Sequence, residues 1–477
     1  MDENVQLEMN FETNRNRFKA RIESGTFFAL FEVNTPSKQA DLKTSAERLQ
    51  ELEFAVESIK SIPAGLAITD KYTAAESWHV ADFTASLLPA ERDKHLVILS
   101  GRDAQTRDMA ESMRLCHSVG LSNLLPVSGN AAPGENLRQT AARPFCDSVN
   151  SIHIARHIPD HDFFVGGAVN PFKYTPAELF SQYFKLIKKI NSGADFFVTQ
   201  FGWDMLKIQE LRWYLSTRGL HVPGLVRIMM LTPEKVESIA AGKYPGVTMS
   251  PDFQRILQNE LKYSFTQFEA AQWRRIQLQA AGCRLMGYNG IQISGLERPD
   301  KIKIAAARIT EALEEFQHFD DWRKAYNEHL ARAEMSPYPH RFYLFNQLFS
   351  SAYPAENNPP RMNDGQMPKT TRWERFYYKL SRFMFAHAGN QSAAEHYLLK
   401  RIMVGCARCN RCRLPDTHNI CPNTCPKGLA NGPCGGTRPG GSCELGEREC
   451  IHARILRLAR WRNCVDQLED KFIPSGD

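Results

Sequence analysis

Pro176-Ala-Glu-Leu-Phe-Ser-Gln-Tyr-Phe-Lys-Leu-Ile-Lys-Lys-Ile-Asn191, followed by Asp195-Phe-Phe-Val198, is the stretch on which the fold turns. The first segment spaces its apolar residues as an amphipathic helix does, and the second is a short apolar run of strand length. The same alternation runs from about Thr26 to Ile309. Strand-like runs are Phe27-Phe-Ala-Leu-Phe31, Gly65-Leu-Ala-Ile68, His95-Leu-Val-Ile-Leu99, Asn123-Leu-Leu-Pro-Val127, Phe163-Phe-Val165, Asp195-Phe-Phe-Val198, Gly224-Leu-Val226 and Gly290-Ile-Gln-Ile293. Helical patterns such as Ala104 to Val119 lie between them. Strands alternating with helices pair in parallel, and eight strands over this span predict an α/β fold closed as a (β/α)8 TIM barrel rather than an open sheet.

In such barrels the chemistry sits at the C-terminal ends of the strands. The residues just beyond the runs are polar: Glu32 after Phe31, Thr69-Asp70 after Ile68, Ser128-Gly129-Asn130 after Val127, and Thr199-Gln200 after Val198. Any one of these fits a helix cap. Together, and with His95 taken as a further strand-terminal residue, they predict a polar mouth suited to a polar heterocyclic ligand.

At 477 residues the chain exceeds one ordinary core, so a second domain is expected. The net charge of +6 is mild, with Lys and Arg interleaved among Asp and Glu. Only Arg454 to Arg462 approaches a basic stripe, and it reads as the solvated face of a last helix, which argues against nucleic acid. No apolar stretch approaches the roughly 20 residues that span a bilayer. Met1-Asp-Glu-Asn is followed by no signal-peptide core, so a cytoplasmic protein is expected.

Eight of the twelve cysteines fall at Cys406, Cys409, Cys412, Cys421, Cys425, Cys434, Cys443 and Cys450. Thiolates three residues apart in tight turns point at one centre, and this density specifies metal. A disulfide framework would need an oxidising compartment. The triplet Cys406, Cys409, Cys412 followed by Cys421-Pro422 and Cys425-Pro426 favours at least one four-iron, four-sulfur (4Fe-4S) cluster. Zinc remains the alternative, and the eight thiolates suffice for two four-ligand sites or for one site with spare cysteines. The scattered Cys116, Cys146, Cys283 and Cys464 read as inert thiols.

These residues resemble the methylenetetrahydrofolate reductase family, flavin-dependent barrels that transfer hydride to a folate-bound one-carbon unit. Phe31-Glu32, Thr69, His95-Leu96, Ser128-Gly129-Asn130, Phe145-Cys-Asp-Ser-Val149, Gly167-Ala-Val-Asn-Pro171 and Lys189 through Gly193-Ala-Asp-Phe-Phe-Val-Thr-Gln200 follow the family's motifs in order. Cys425-Pro-Lys-Gly-Leu429 and Asn431-Gly-Pro-Cys-Gly-Gly436 resemble the cysteine-rich domain of its anaerobic-type members. The resemblance implies that Glu32 is the general acid at folate N10 and that Gln200 bonds the pterin. It implies that Thr69, His95, Ser128, Gly129, Asn130 and Lys189 hold a flavin, FAD or FMN, with Asn130 beside the reacting rings. Arg298 would meet the glutamyl carboxylate of the folate substrate. Catalysis would then rest on Glu32, Asn130 and Gln200, and electrons would arrive through the cysteine domain from a redox partner protein, in a homo- or hetero-oligomer.

Three residues depart from the family pattern. Asn130 stands for Asp, Ser128 for Arg, and Val226-Arg227-Ile-Met-Met230 for Pro-Gly-Ile-Met-Pro, so a bulky cation is expected at the mouth. Such changes fit an altered donor or substrate, a barrel retained as an electron-relay or assembly subunit, or a folate-dependent methyltransferase without flavin. The expected organisation is an N-terminal arm over 1–24, a barrel over 25–318, a helical linker over 319–400, a metal-binding domain over 401–464 and a tail to 477. Tyr353 to Thr371 reads as an exposed loop, and the aromatic residues from Trp373 to Met403 read as a packing face.

Overall fold

The computed structural model describes residues 16–70, 76–132, 134–355, 360, 367–385, 397–407 and 409–476. Most of the expected N-terminal arm, residues 1–15, lies outside the described residues, as do 356–359 and 361–366 of the expected loop.

Eight parallel strands close into a barrel in chain order: β1 Phe28–Asn34, β2 Ala64–Thr69, β3 Leu96–Ser100, β4 Asn123–Val127, β5 Phe164–Val169, β6 Phe196–Thr199, β7 Gly224–Met229 and β8 Gly290–Ser294. The expected (β/α)8 barrel is thus present, and every strand-like run of the sequence is one of its strands. The runs are mostly apolar because each strand is covered on both faces. Outward residues such as Ala29, Phe31, Leu66 and Ile68 pack under the helices. Inward residues Phe28, Leu30, Ala67, Leu96, Ile98, Leu125, Phe164, Phe196, Val198 and Leu225 form a second, inner cluster.

The helix Arg17–Glu23 stoppers the N-terminal end of the barrel. Its Phe18 ring stands edge-on to Phe28, Phe164 and Phe196 at 5.7, 6.0 and 5.4 Å between centroids. One end of the interior is therefore solid hydrocarbon, and polar inward residues gather at the other, as alternation along each strand requires.

Beyond the last strand, the helix Phe319–Arg332 lies against the helix Phe265–Leu285. Its fully buried Trp322 donates its indole N–H to the Leu278 carbonyl at 2.8 Å. The helix Arg372–Met384 departs from the expected packing face. Tyr378 and Ser381 are buried, whereas Trp373, Phe376, Tyr377 and Phe383 are exposed. Helical spacing of aromatics shows that one face is apolar, and does not show that anything covers it.

The cysteine-rich segment and the helix Ile451–Trp461 dock on the helix Pro176–Asn191. That docking buries the polar face of an amphipathic helix, so Gln182, Lys185, Lys188 and Lys189 are all buried. Backbone carbonyls and one carboxylate satisfy three of them. Gln182 donates to the Cys434 carbonyl at 2.7 Å, and Lys185 Nζ donates to the Gly432 carbonyl at 3.1 Å and stands 3.0 Å from Asp147. Lys189 donates to the Ala168 carbonyl. Among the described residues no helix is long and apolar enough to cross a membrane.

Candidate functional site

Glu32 faces the barrel interior near the C-terminal end of β1, in the alternation Phe28, Leu30, Glu32. Arg227 of β7 reaches across to it. Its Nε donates to Oε2 at 2.7 Å and its Nη2 to Oε1 at 2.6 Å, a two-pronged ion pair. Gln292 Nε2 donates to Oε2 at 2.8 Å, and the Ser294 hydroxyl to Oε1 at 3.4 Å. Both carboxylate oxygens are thus occupied as acceptors on a side chain 6% exposed. The Arg227 guanidinium also lies over the Phe201 ring, 4.9 Å from its centroid. This pairing of a planar guanidinium with a carboxylate and an aromatic face is one that Lys cannot reproduce.

Gln200 joins the same network. Its Oε1 accepts from Arg227 Nη1 at 3.2 Å and from the Phe201 N–H at 3.0 Å. Glu32 and Gln200, read from the sequence as neighbours of one ligand, are brought together by Arg227. Lys235 is close by. Burial pushes its ammonium pKa down, while Glu297, Glu32 and Glu234 oppose that shift. Just after β2, burial raises Asp70 to about 6, against a backbone hydrogen bond from Ser100. Gln292 and Ser294 escaped the sequence reading. Their signal was the alternation of Gly290, Gln292 and Ser294 with isoleucines in β8, which places two polar side chains inside the barrel.

The remaining flavin candidates are placed less uniformly. Thr69 sits at the mouth end of β2, and its buried Oγ1 has no hydrogen-bond partner among the described residues. Gly129 follows β4 with φ +80, and a Cβ there would meet the Ser100 Oγ at 2.7 Å, so only glycine fits. Ser128 is turned inward to its neighbours, its Oγ accepting from the Ser148 N–H at 3.1 Å. Asn130 is exposed, and its carbonyl accepts from Arg102 at 3.1 Å. Arg298 precedes the helix Pro299–Glu315, is 70% exposed and pairs with Asp300 at 2.8 Å.

Two candidates are corrected by their positions. His95 precedes β3, so it lies at the end of the barrel opposite the mouth. There its Nδ1 accepts from the Leu66 N–H at 3.0 Å, and its Nε2 stands 3.0 Å from Glu53. A histidine ahead of an apolar run marks the start of a strand, and starts and ends look alike in sequence. Lys189 lies behind the strands, its ammonium donating to the Ala168 carbonyl and its stem packed against Gly167. Burial lowers its pKa to about 7.

The cysteine-rich segment also reaches the mouth. Lys427 Nζ donates to the Gly129 carbonyl at 2.9 Å and to Glu444 at 2.6 Å, and Glu444 Oε1 accepts from the Ala131 N–H at 3.0 Å. Asn170, just after β5, donates to the Gly435 and Gly246 carbonyls, each at 2.8 Å. Burial raises Cys421 and Cys434 to about 11. Among the described residues no three Cys, His, Asp or Glu side chains close on a single metal ion.

The donor sets can be weighed against the groups they would hold. Eight thiols in one small segment suit zinc or an iron–sulfur cluster chemically. At the mouth, Thr69 Oγ1 and Gln292 Oε1 are buried polar atoms without partners among the described residues, flanking β1 on either side. Such atoms fit the polar edge of a heterocycle. His95 and Lys189 do not contribute to that fit.

Residues 17–242 match the family model described as methylenetetrahydrofolate reductase, and residues 386–477 match the model described as methylene-tetrahydrofolate reductase C terminal. No curated protein matches the chain. Among solved structures it is similar to an uncharacterized protein from Clostridium thermocellum described as binding two copies of 5-methyl-5,6,7,8-tetrahydrofolic acid. That match has 13% identity and a TM-score of 0.46, and covers 61% of this chain and 97% of the other. The chain is thus similar to the methylenetetrahydrofolate reductase family over residues 17–242 and to the C-terminal domain associated with that family over residues 386–477.

Proposed function

We propose that the barrel mouth binds a reduced folate and exchanges hydride between its one-carbon unit and a flavin. The observation that carries this reading is the mouth network itself: Glu32, Gln200, Arg227 and Gln292 bonded together beside the free polar atom of Thr69. Flavin, when bound, supplies the hydride chemistry. Gln200 presents an amide that both donates and accepts, as a pterin edge requires.

Glu32 handles the proton at folate N10. While Arg227 holds both of its oxygens, Glu32 has no site from which to give a proton away. It meets the ligand as a proton acceptor, which suits oxidation of a methyl-folate: as the iminium closes back to the five-membered ring, N10 must lose a proton. Reduction in the other direction requires Arg227 to withdraw first. Thr69, Gly129 and Asn130 are the residues left to contact flavin, and Arg298 stands exposed for a glutamyl carboxylate. The cysteine domain, docked beside Gly129, would bring electrons from, or pass them to, a redox partner protein in a reducing cytoplasm.

Titration calorimetry with 5-methyltetrahydrofolate tests the folate half of this reading. Gln200→Ala should weaken binding by roughly tenfold, the scale of one or two lost hydrogen bonds. Absence of binding to the unsubstituted protein contradicts the proposal. A second reading is favoured by Lys189 and His95 lying away from the mouth. In that reading the barrel binds methyl-folate without flavin, as a methyltransferase would, and flavin absorbance bands in the purified protein exclude it.

A further inference from the structure

Each residue of the loop after β4, from Gly129 to Ala132, has a backbone atom held by a charged side chain. Lys427 Nζ donates to the Gly129 carbonyl at 2.9 Å, and Arg102 Nη1 donates to the Asn130 carbonyl at 3.1 Å. Glu444 Oε1 accepts from the Ala131 N–H and Glu135 Oε2 from the Ala132 N–H, each at 3.0 Å. Arg102 and Glu135 belong to the barrel and bond each other at 3.2 Å. Lys427 and Glu444 form a second such pair, 2.6 Å apart, but the cysteine-rich segment supplies them. They stand 298 residues from Gly129 and 313 from Ala131 along the chain.

This second pair is built into its place. Its side chains are 2% and 5% exposed, so each buried charge depends on the other. Lys427 also lies over the Phe145 ring, 5.7 Å from its centroid. A Cβ on Gly436 would stand 2.2 Å from Glu444 Oε2, so glycine is required there for the carboxylate to occupy its position. Contacts that do not touch the loop anchor the segment around the pair. The Asn431 N–H donates to Asp147 at 3.2 Å, Lys173 to the Thr437 carbonyl at 2.6 Å, and Gln182 to the Cys434 carbonyl at 2.7 Å.

Hydrogen bonds with one charged partner are about twice as strong as neutral ones. Two of them grip the backbone on either side of Asn130, at a turn where Gly129 has φ +80. Asn130 itself is exposed.

We infer that Lys427 and Glu444 are positioning residues of the barrel mouth: from the cysteine-rich segment they fix the backbone on both sides of Asn130, and so set where the Asn130 side chain meets a flavin. The mouth is then incomplete without that segment. Ligand at Asn130 and docking of the segment favour each other, because coupling between two sites is reciprocal. The inference rests on the proposed reading of the mouth as a flavin site, and not on anything the cysteines hold.

The test uses the full chain purified without oxygen. Lys427→Met combined with Glu444→Met removes both grips and leaves no uncompensated buried charge, whereas either substitution alone leaves one. Should the combined variant fail to fold by circular dichroism, Lys427→Met alone, which frees the Gly129 carbonyl, takes its place. Gln182→Ala removes a docking contact away from the loop and is the structural control. Without ligand, amide hydrogen exchange at residues 129–132 should quicken by roughly tenfold or more in the combined variant and stay unchanged in Gln182→Ala. Fluorescence titration with FAD and with FMN should show roughly tenfold weaker binding by the combined variant, the scale of one or two lost hydrogen bonds. In an Asn130→Ala background the same substitutions should cost less than about threefold, because the contact they position is already gone. Unchanged exchange in the combined variant, equal losses in Gln182→Ala, or the full loss of affinity in the Asn130→Ala background overturns the positioning role. If neither flavin binds the unsubstituted protein, the flavin reading fails, and the exchange result alone decides whether the pair fixes the loop.

Discussion

Arg227 of β7 and Glu32 of β1, 195 residues apart in sequence, close a two-pronged ion pair across the barrel mouth at 2.6 and 2.7 Å. A Gly-containing family motif is replaced here by a side chain that fills the space in front of the candidate proton carrier. Removing one partner of such a pair leaves a buried charge uncompensated, whereas removing both does not. Arg227→Met should therefore destabilise the protein by about 2–4 kcal/mol in urea unfolding. The double variant Arg227→Met, Glu32→Gln should lose less than the sum of the two single variants. Additive losses would show that the two residues are not coupled.

Glu32→Gln keeps the shape of the side chain and removes its ability to take a proton. Turnover of methyl- or methylene-folate should fall by about a hundredfold or more, the usual scale for a lost acid or base, while folate affinity changes little. Equal turnover in the variant would remove Glu32 from the reaction.

The strands were legible because burial on both faces leaves an apolar run that no other element produces at that length, and Glu32 and Gln200 were legible because they follow such runs directly. His95 misled because polarity at a run's edge does not say which end of the barrel it marks. The presence of a cation at position 227 could be read, but its partner could not, since the pairing depends on β1 and β7 flanking β8. Nor did the lysines of the helix Pro176–Asn191 announce their burial. Their polar face looks solvated until the cysteine-rich segment covers it.

That covering changes what truncation does. Excision of residues 401–477 removes the Cys434 carbonyl from Gln182, leaves Lys185 only Asp147 as a partner, and takes the Asn431 N–H from Asp147. The truncated barrel should lose several degrees of melting temperature, since each 1 kcal/mol is worth roughly 2–4 °C in a domain of this size. An unchanged melting temperature would mean that the docked arrangement contributes nothing to stability.

Lys189 provides a pH signature. Its pKa is about 7 in the fold and 10.5 ordinarily. Between those values the unfolded chain binds one more proton, so stability from this group rises with pH across the window, by up to about 1.4 kcal/mol per unit. Below pH 7 the penalty is fully present. Lys189→Met should flatten the profile between pH 7 and 10, and its stability relative to the unsubstituted protein should be greatest at the acid end. Because the ammonium lies behind β5, the same variant should keep any bound flavin. Loss of flavin on this substitution would return Lys189 to the mouth.

The most direct measurement mixes anaerobic, flavin-loaded protein with 5-methyltetrahydrofolate and follows the flavin absorbance. The account predicts bleaching near 450 nm as the methyl-folate is oxidised and the flavin reduced, and prompt bleaching lost in Glu32→Gln. A protein that takes up no flavin, or whose flavin keeps its colour with methyl-folate bound, contradicts it.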